Sequence, residues 1–261
     1  MSRKKKNSGF ELWSVLRALL FAFLSGFLLF SISEKLNEPV DNISIKINKD
    51  DSDKKLISEK EIRAILKLEL GYDASIAEIQ QLNIYHLEKV LNKNERIDNA
   101  EIYLDKHNVL HVNVKQKLPI VRINVTDNSD YYLDYKGERV PVTDIYRVPV
   151  VTGKVHAYKE GFRENKKHNL NAILEVAKKV HDDEFLTALV EQIHVNSENE
   201  ITLVPKVGRN KILLGQVEDL DEKIYKLKTY YERGIKNIGL GRFDELDLQI
   251  KGQVIGREEN T

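Results

Sequence analysis

The sequence predicts an α+β protein with a single N-terminal transmembrane helix, a small first unit, and a larger mixed β unit with flanking helices. Three observations support this fold class: a long apolar run near the N-terminus, a strand–helix–helix–strand–strand order after it, and then a series of short strands with two helices. We expect a basic tail at 1–11, the span at 12–33, the first unit at 40–117, the second unit at 118–256 and a polar tail at 257–261.

The N-terminal apolar run is long enough to cross a bilayer. Residues 12–32 contain one charge, Arg17, and about 20 apolar residues suffice for a helical span. Basic residues precede the run, so the positive-inside rule predicts a cytoplasmic N-terminus and an extracytoplasmic body. A cleaved signal peptide is the alternative, since Ser31 and Ser33 form a small-x-small pattern. We expect a retained anchor, because residues 12–15 extend the apolar run and no alanine-type cleavage site follows.

The pattern of residues 40–117 predicts a compact first unit. Residues 43–47 alternate as a strand, and Ser58 with Glu61 forms a capping box at the start of a helix. A second helix with one apolar face follows, and then two strands around 100–104 and 110–114. Both helices must bury their apolar faces against one side of a three-stranded sheet.

The stretch YYLDYKGERVPV, residues 131–142, allows two interpretations. Tyrosine and aspartate are common acid/base residues, so a catalytic or ligand-binding loop is one. Tyrosine and valine also favour strands, and Lys136-Gly137 fits a turn, so a structural hairpin is the other.

Composition and motifs argue against an enzyme. The chain has no cysteine, which excludes disulfides, zinc thiolate sites and cysteine nucleophiles. The sequence contains no nucleophile elbow, no phosphate-binding loop and no metal-binding histidine pair on a helix. The net charge is zero, and the body lacks the basic character of a nucleic-acid binder. We therefore expect no catalytic residue, no metal, no cofactor, no small-molecule substrate and no nucleic-acid partner.

The C-terminal segment predicts a final strand. Residues 246–250 alternate, with Leu246, Leu248 and Ile250 expected in the core and Asp247, Gln249 and Lys251 expected in solvent. A helix from Asp219 to a stop at Gly234 precedes it. The strand either lies at a sheet edge, where a partner segment could pair with it, or in the centre of the sheet without such a role.

Several motifs occur here in a known order. They are the junction QKLPIVRI around Pro119, the hairpin with Tyr131, Tyr132, Asp134, Gly137 and Pro141, the strand VPVVTG ending at Gly153, and the terminal LDLQIKGQV. Together with the span, they resemble the bacterial cell-division family FtsQ, also called DivIB, over nearly the whole chain. The first unit resembles a POTRA domain. Lys117 replaces the arginine usual in the junction, and Phe243 only loosely matches the aromatic residue found before the last strand.

The resemblance implies a non-enzymatic division scaffold in the plasma membrane at the septum. It implies partners of the FtsB (or DivIC) and FtsL types, with an influence on septal peptidoglycan synthesis. It also favours the structural interpretation of the hairpin. We predict partner contacts on the last strand and the adjacent helix, at Leu246, Asp247, Leu248, Gln249, Ile250, Lys251, Gln253, Val254, Phe243, Lys226 and Arg233. Two other classes stay open: a POTRA-containing secretion or assembly factor, and a membrane-anchored wall hydrolase.

Overall fold

A computed structural model describes residues 8–48, 55–124, 130–143, 146–239 and 241–258. Its contacts divide the chain into a first unit, residues 1–48 and 57–115, and a second unit, residues 49–56 and 116–261. Helix α1, Ser8–Leu36, opens the chain and extends beyond both ends of the predicted span. Within it, Trp13–Leu36 is the only described helix that is long and apolar enough to cross a membrane, with a mean hydropathy of 2.2. The predicted fold class is confirmed.

The first unit contains the predicted order of elements. They are β1 (Asn42–Asn48), α2 (Glu59–Leu70), α3 (Ile84–Asn92), β2 (Ile97–Leu104) and β3 (Val109–Gln116). The sheet order is β1-β3-β2, and β1 runs parallel to β3. The predicted capping box is present: the Glu61 amide donates to the Ser58 hydroxyl at 3.2 Å, and the Ser58 amide donates to the Glu61 carboxylate at 2.8 Å.

The two helices of the first unit cover one face of its sheet. The apolar stripes of α2 and α3 bury Ile62, Leu66, Leu87 and Leu91. They belong to one core with alternate residues of β3, whose side chains are fully buried: Leu110, Val112 and Val114. The alternate apolar residues of β3 and the apolar faces of the two helices therefore pack into a single core, as the sequence predicts.

The second unit is built on one nine-stranded mixed sheet. Its strands are β4 (Pro119–Ile123), β5 (Tyr131–Asp134), β6 (Arg139–Pro141), β7 (Val150–Gly153), β8 (Val190–Val195), β9 (Ile201–Pro205), β10 (Lys211–Gly215), β11 (Glu245–Asp247) and β12 (Ile255–Arg257). Their order is β12-β11-β10-β9-β8-β7-β4-β5-β6. The pairs β4–β7, β7–β8 and β10–β11 are parallel.

Four helices accompany this sheet: α4 (Leu170–His181), α5 (Glu184–Leu189), α6 (Leu220–Thr229) and α7 (Ile235–Ile238). The predicted helix end at Gly234 is wrong. The chain passes from α6 through a π-helical turn, Tyr230–Gly234, directly into α7. Gly234 does not stop the helix because its backbone keeps the right-handed helical conformation, with φ −67° and ψ −49°.

The predicted hairpin is present as β5 and β6. The Asp134 carboxylate accepts hydrogen bonds from the backbone amides of Lys136 at 3.0 Å and Glu138 at 2.7 Å, which holds the turn. Gly137 has φ +85°, and a β-carbon there would lie 2.8 Å from Leu174 Cδ2. Burial raises the pKa of the Asp134 carboxyl above its usual range. These contacts explain why the turn needs aspartate and glycine.

The two hairpin tyrosines pack inside the second unit. Tyr132 is 1% exposed, and its hydroxyl donates to the Thr143 carbonyl and, at 3.4 Å, to the Tyr146 carbonyl. Tyr131 is 4% exposed, and the guanidinium of Arg139 lies 5.0 Å from its ring centre. Burial raises the pKa of Tyr131 to about 12. Both side chains therefore belong to the core.

Three further motif residues have roles in the sheet. Gly153 has φ +94°, and a β-carbon there would lie 2.1 Å from the Val195 carbonyl oxygen. Pro119 begins β4 opposite Asp134. Pro141 ends β6, the last strand at that side of the sheet.

Candidate functional site: the C-terminal end of the large sheet

The structure corrects the prediction of a terminal edge strand at residues 246–250. Strand β11 ends at Asp247 and lies between β10 and β12, so it has a neighbour on each side. The chain turns at residues 250–252 and returns as β12, which pairs antiparallel with β11. The edge of the sheet is therefore Ile255–Arg257, and no strand pairs with its outer side within the described residues.

The predicted alternation holds only in part. Leu246 and Leu248 are fully buried, as expected, but Ile250 is 44% exposed and Asp247 is 4% exposed. Because regular strand geometry stops at Asp247, the side chains after it no longer alternate across a sheet. The Asp247 carboxylate instead accepts hydrogen bonds from the Gln249 amide at 2.9 Å and the Arg257 guanidinium at 2.7 Å. A buried carboxylate thus ties β11 to the edge strand.

Lys226 is not the solvent-exposed rim contact that the sequence predicts. The residue is 9% exposed, and its Nζ donates to the carbonyl oxygens of Leu248 at 2.8 Å and Ile250 at 2.5 Å. One turn earlier in α6, the Glu222 carboxylate accepts a hydrogen bond from the Gly252 amide at 2.8 Å. Helix α6 therefore fixes the turn between β11 and β12 through two charged side chains.

The remaining predicted contact residues surround this turn. Gln249 is exposed, and its side-chain amide lies where a β-carbon on Gly215 would be, so Gly215 leaves room for it. Lys251 and Gln253 are exposed in the turn, and Val254 is half-buried before β12. The ring of Phe243 packs directly over Gly256 of β12. The structure thus brings the predicted residues together around β11 and β12, although most of them lie outside a strand.

A shallow apolar groove of about 350 Å³ lies next to the edge strand. It is lined by α6, the π-helical turn and the β11–β12 turn, through Tyr225, Lys226, Thr229, Tyr230, Arg233, Gly234, Gly252 and Val254. Tyr225 is 70% exposed, and Arg233, the other predicted helix contact, is exposed at its rim. An exposed aromatic, an exposed arginine and an unpaired strand edge thus occupy one side of the second unit. Aromatic residues and arginine are enriched at protein–protein interfaces.

The opposite edge of the same sheet is poorly suited to pairing. Strand β6 ends in Pro141, which has no backbone N–H to donate. Val140 of β6 and Tyr132 belong to a small separate core with Leu56 and Tyr146. An incoming strand would find no donor at Pro141.

Side chains form hydrogen bonds with part of the backbone at both sheet edges of the first unit. On β2, the Asn92 amide group accepts from the Ala100 amide at 2.8 Å and donates to its carbonyl at 3.3 Å. The Glu88 carboxylate accepts from the Ile102 amide at 2.7 Å. Glu88 and Asn92 lie one turn apart on α3, so one helix face covers this edge. On β1, Arg63 donates to the Ile43 carbonyl at 3.1 Å.

The edge strand β12 was not predicted from the sequence. The segment Ile255–Arg257 has three residues and one of them is glycine, so it carries no alternating pattern. The only available signal was the turn at Lys251-Gly252, directly after the last apolar alternation. Read as a hairpin turn, it would have predicted one further strand.

Comparison with known proteins agrees with this architecture. Residues 40–115 match the POTRA-like domain, and residues 118–257 match the family described as FtsQ/DivIB, C-terminal related. No curated protein matches the chain.

Fold and comparison together define a protein with one candidate membrane span, a POTRA-like domain and a C-terminal mixed-sheet domain of the cell-division type. The second match covers more than half of the 261-residue chain, and the chain belongs to the FtsQ/DivIB family. The protein therefore has a role in cell division, within a family whose members are generally not enzymes.

Proposed function

We propose that this chain is a non-enzymatic scaffold of the division machinery. It binds single-span division proteins of the FtsB (or DivIC) and FtsL types on the extracytoplasmic side and thereby links them to septal peptidoglycan synthesis. In this arrangement α1 holds the protein in the plasma membrane at the septum, with the N-terminus in the cytoplasm. The basic residues before the apolar run support that orientation.

The observation that carries the proposal is the outer edge of β12. Ile255–Arg257 is paired on one side by β11 and has no strand on its other side among the described residues. A partner segment adds to this edge as a further strand, where main-chain hydrogen bonds provide affinity. The proline at the opposite edge of the sheet and the side chains on β2 favour β12 over those edges.

The groove beside β12 supplies specificity in this proposal. Main-chain hydrogen bonds depend little on the partner's sequence, so side-chain pockets must discriminate between partners. The exposed ring of Tyr225 and the apolar surface of Val254 suit an apolar or aromatic anchor on the partner segment. A short extended segment with an adjacent apolar anchor is therefore the expected ligand.

Site-specific photo-cross-linking in living cells tests this proposal. A photoreactive residue at Glu258, an exposed position directly after β12, should yield adducts with FtsB/DivIC-type or FtsL-type proteins. The matched control is Arg139, an exposed arginine on the opposite edge strand β6. Adducts at Arg139 and none at residues 254–258 would overturn the proposed docking edge.

Hydrogen exchange on the purified complex supplies an independent test. Strand addition should slow exchange of the Gly256 amide. Ile255 and Arg257 are paired with Asp247 and Glu245 of β11, so Gly256 is the residue of β12 whose N–H group points outward and gains an acceptor. The amides of Arg139 and Val140 on β6 should exchange at the same rate with and without the partner. If the partner slows exchange only of amides elsewhere in the protein and leaves exchange at Gly256 unchanged, strand addition is excluded.

A further inference from the structure

The turn formed by residues 74–81 lies directly at the C-terminal end of α1. The Val40 amide donates to the Ala77 carbonyl at 2.9 Å, and the Ile79 amide donates to the Glu38 carbonyl at 3.1 Å. Pro39 and Glu78 form an isolated β-bridge between these two hydrogen bonds. Two short 3₁₀ helices, Ala74–Ile76 and Ile79–Gln81, make up the turn. It is therefore attached to the chain within a few residues of the span.

The length of the candidate span places its C-terminal end at the membrane surface. Trp13–Leu36 has 24 residues, and at 1.5 Å per residue it is about 36 Å long. The hydrocarbon core is about 30 Å thick, so the last turn of α1 extends into the headgroup layer. Glu34 and Lys35, the first charges after the apolar run, lie in that turn. The 3₁₀ helix Ile79–Gln81 of the 74–81 turn contacts α1, so a bilayer that α1 spans would have its surface close to this turn.

This turn presents an isoleucine outward. Ile76 is 70% exposed, whereas its neighbours in the turn, Ala74 and Ala77, are buried at 3% and 0%. The Asp73 carboxylate accepts a hydrogen bond from the Ser75 amide at 3.1 Å, which stabilises the first 3₁₀ helix. The backbone conformation that exposes Ile76 is therefore held by this hydrogen bond. Leu68, on the last turn of α2 just before this segment, is 86% exposed.

We propose that the 74–81 turn rests on the lipid bilayer, with Ile76 inserted into the interfacial layer and the exposed Leu68 of α2 as a second contact with the lipid. Lipid is the apolar phase at the depth where α1 leaves the hydrocarbon core, and transfer of an exposed aliphatic side chain into it is favourable. The first unit is then held against the membrane surface at a second point besides α1. This goes beyond the scaffold function, because it assigns the POTRA-like unit a membrane contact of its own.

Depth-dependent fluorescence quenching in lipid nanodiscs tests the contact. The chain has no cysteine, so a single Ile76→Cys variant of the full-length protein can carry one environment-sensitive fluorophore. Discs hold one chain in phosphatidylethanolamine and phosphatidylglycerol, with lipids brominated high on the acyl chain. The label at residue 76 should be quenched about twofold more than one at Val207→Cys, which is comparably exposed in the second unit. Equal quenching at the two positions would overturn the proposal.

Two further labels keep the result unambiguous. A label at Leu24→Cys, within the apolar run, should be quenched by deeply brominated lipids. If it is not, α1 does not cross the bilayer and the proposed contact is overturned with it. A label at Leu68→Cys should lose at least half of its quenching when Ile76 is changed to Asp, and should keep it with Ile76→Val. Unchanged quenching with Ile76→Asp would show that Ile76 does not anchor the turn.

Discussion

A β-carbon on Gly256 would lie 2.3 Å from Cδ2 of the Phe243 ring. Phe243 precedes β11 and Gly256 is the middle residue of β12, so this contact joins the two strands. Gly256 is not among the glycines with positive φ, so its backbone is compatible with alanine. The close approach of the ring, and not backbone strain, is what requires glycine at this position.

We predict that Gly256→Ala displaces the Phe243 ring and weakens the pairing of β12 with β11. Forced overpacking of this kind costs about 1–3 kcal/mol. The free energy of unfolding, measured by denaturant titration of the full-length protein in detergent, should fall by about this amount. Capture of the division partner should weaken as well, because the displaced strand carries the proposed docking edge.

The double variant Phe243→Ala, Gly256→Ala is the control for this mechanism. If the ring causes the loss, Gly256→Ala should cost little once Phe243 is already alanine, and the two changes will not be additive. A fully additive pair of effects would show that the ring contact is not the reason for the glycine.

We predict that Lys226→Met loosens the turn between β11 and β12. The change removes two hydrogen bonds from a buried ammonium group to the Leu248 and Ile250 carbonyl oxygens. Hydrogen bonds that involve a charged group contribute about 1.5–3 kcal/mol. Amide exchange at residues 248–254 should accelerate, and the free energy of unfolding should fall. Lys251→Met is the matched control, because Lys251 is exposed in the same turn; equal effects of both variants would contradict this role of Lys226.

We predict a pH-dependent advantage of Asp134 over asparagine. Burial raises the folded-state pKa of Asp134, so the folded protein binds this proton more tightly than the unfolded chain does. The resulting stability is fully present below the unfolded pKa of about 3.9 and is lost as pH rises through the raised folded pKa. Asparagine keeps an oxygen acceptor for the amides of Lys136 and Glu138 but does not titrate.

The measurement compares the unfolding free energies of the wild type and Asp134→Asn between pH 3 and pH 7. The difference, wild type minus variant, should decrease as pH rises, whatever the other carboxylates contribute to both proteins. Glu160→Gln, a change of an exposed carboxylate outside this turn, serves as the control for a simple loss of charge. If the difference in unfolding free energy is constant or increases with pH, the pKa of Asp134 is not raised by burial in the folded protein.

We predict that the double variant Glu88→Ala, Asn92→Ala exposes a sheet edge in the first unit. Both side chains hydrogen-bond to the backbone of β2, at Ala100 and Ile102. Without them, unpaired amides face solvent, and such edges pair with other chains. Sedimentation of the detergent-solubilised protein should show concentration-dependent dimers or larger species. Lys89→Ala, an exposed change on the same helix, should leave it monodisperse, and a monodisperse double variant would contradict a protective role.

The parts of the fold that depend on local pattern could be predicted from the sequence. The Ser58–Glu61 capping box, the apolar stripe of α3 and the Asp134–Gly137 turn all follow from spacing of a few residues. The order of nine strands and the position of β11 depend on pairing between distant segments, which one sequence does not specify. The burial of Lys226 was missed for the same reason, since helical spacing does not say that two carbonyl groups lie above it.

Pro141 limits how this sheet can grow. The edge strand β12 contains no proline, whereas the strand at the other edge of the sheet, β6, ends in a residue that has no N–H group to donate. Pairing of β12 of one copy with β6 of another is therefore disfavoured, and so is a continuous sheet formed by many copies of the second unit. If a partner segment adds at β12 as proposed, the assembly would stop after that one segment, which favours a defined stoichiometry over open-ended polymerisation.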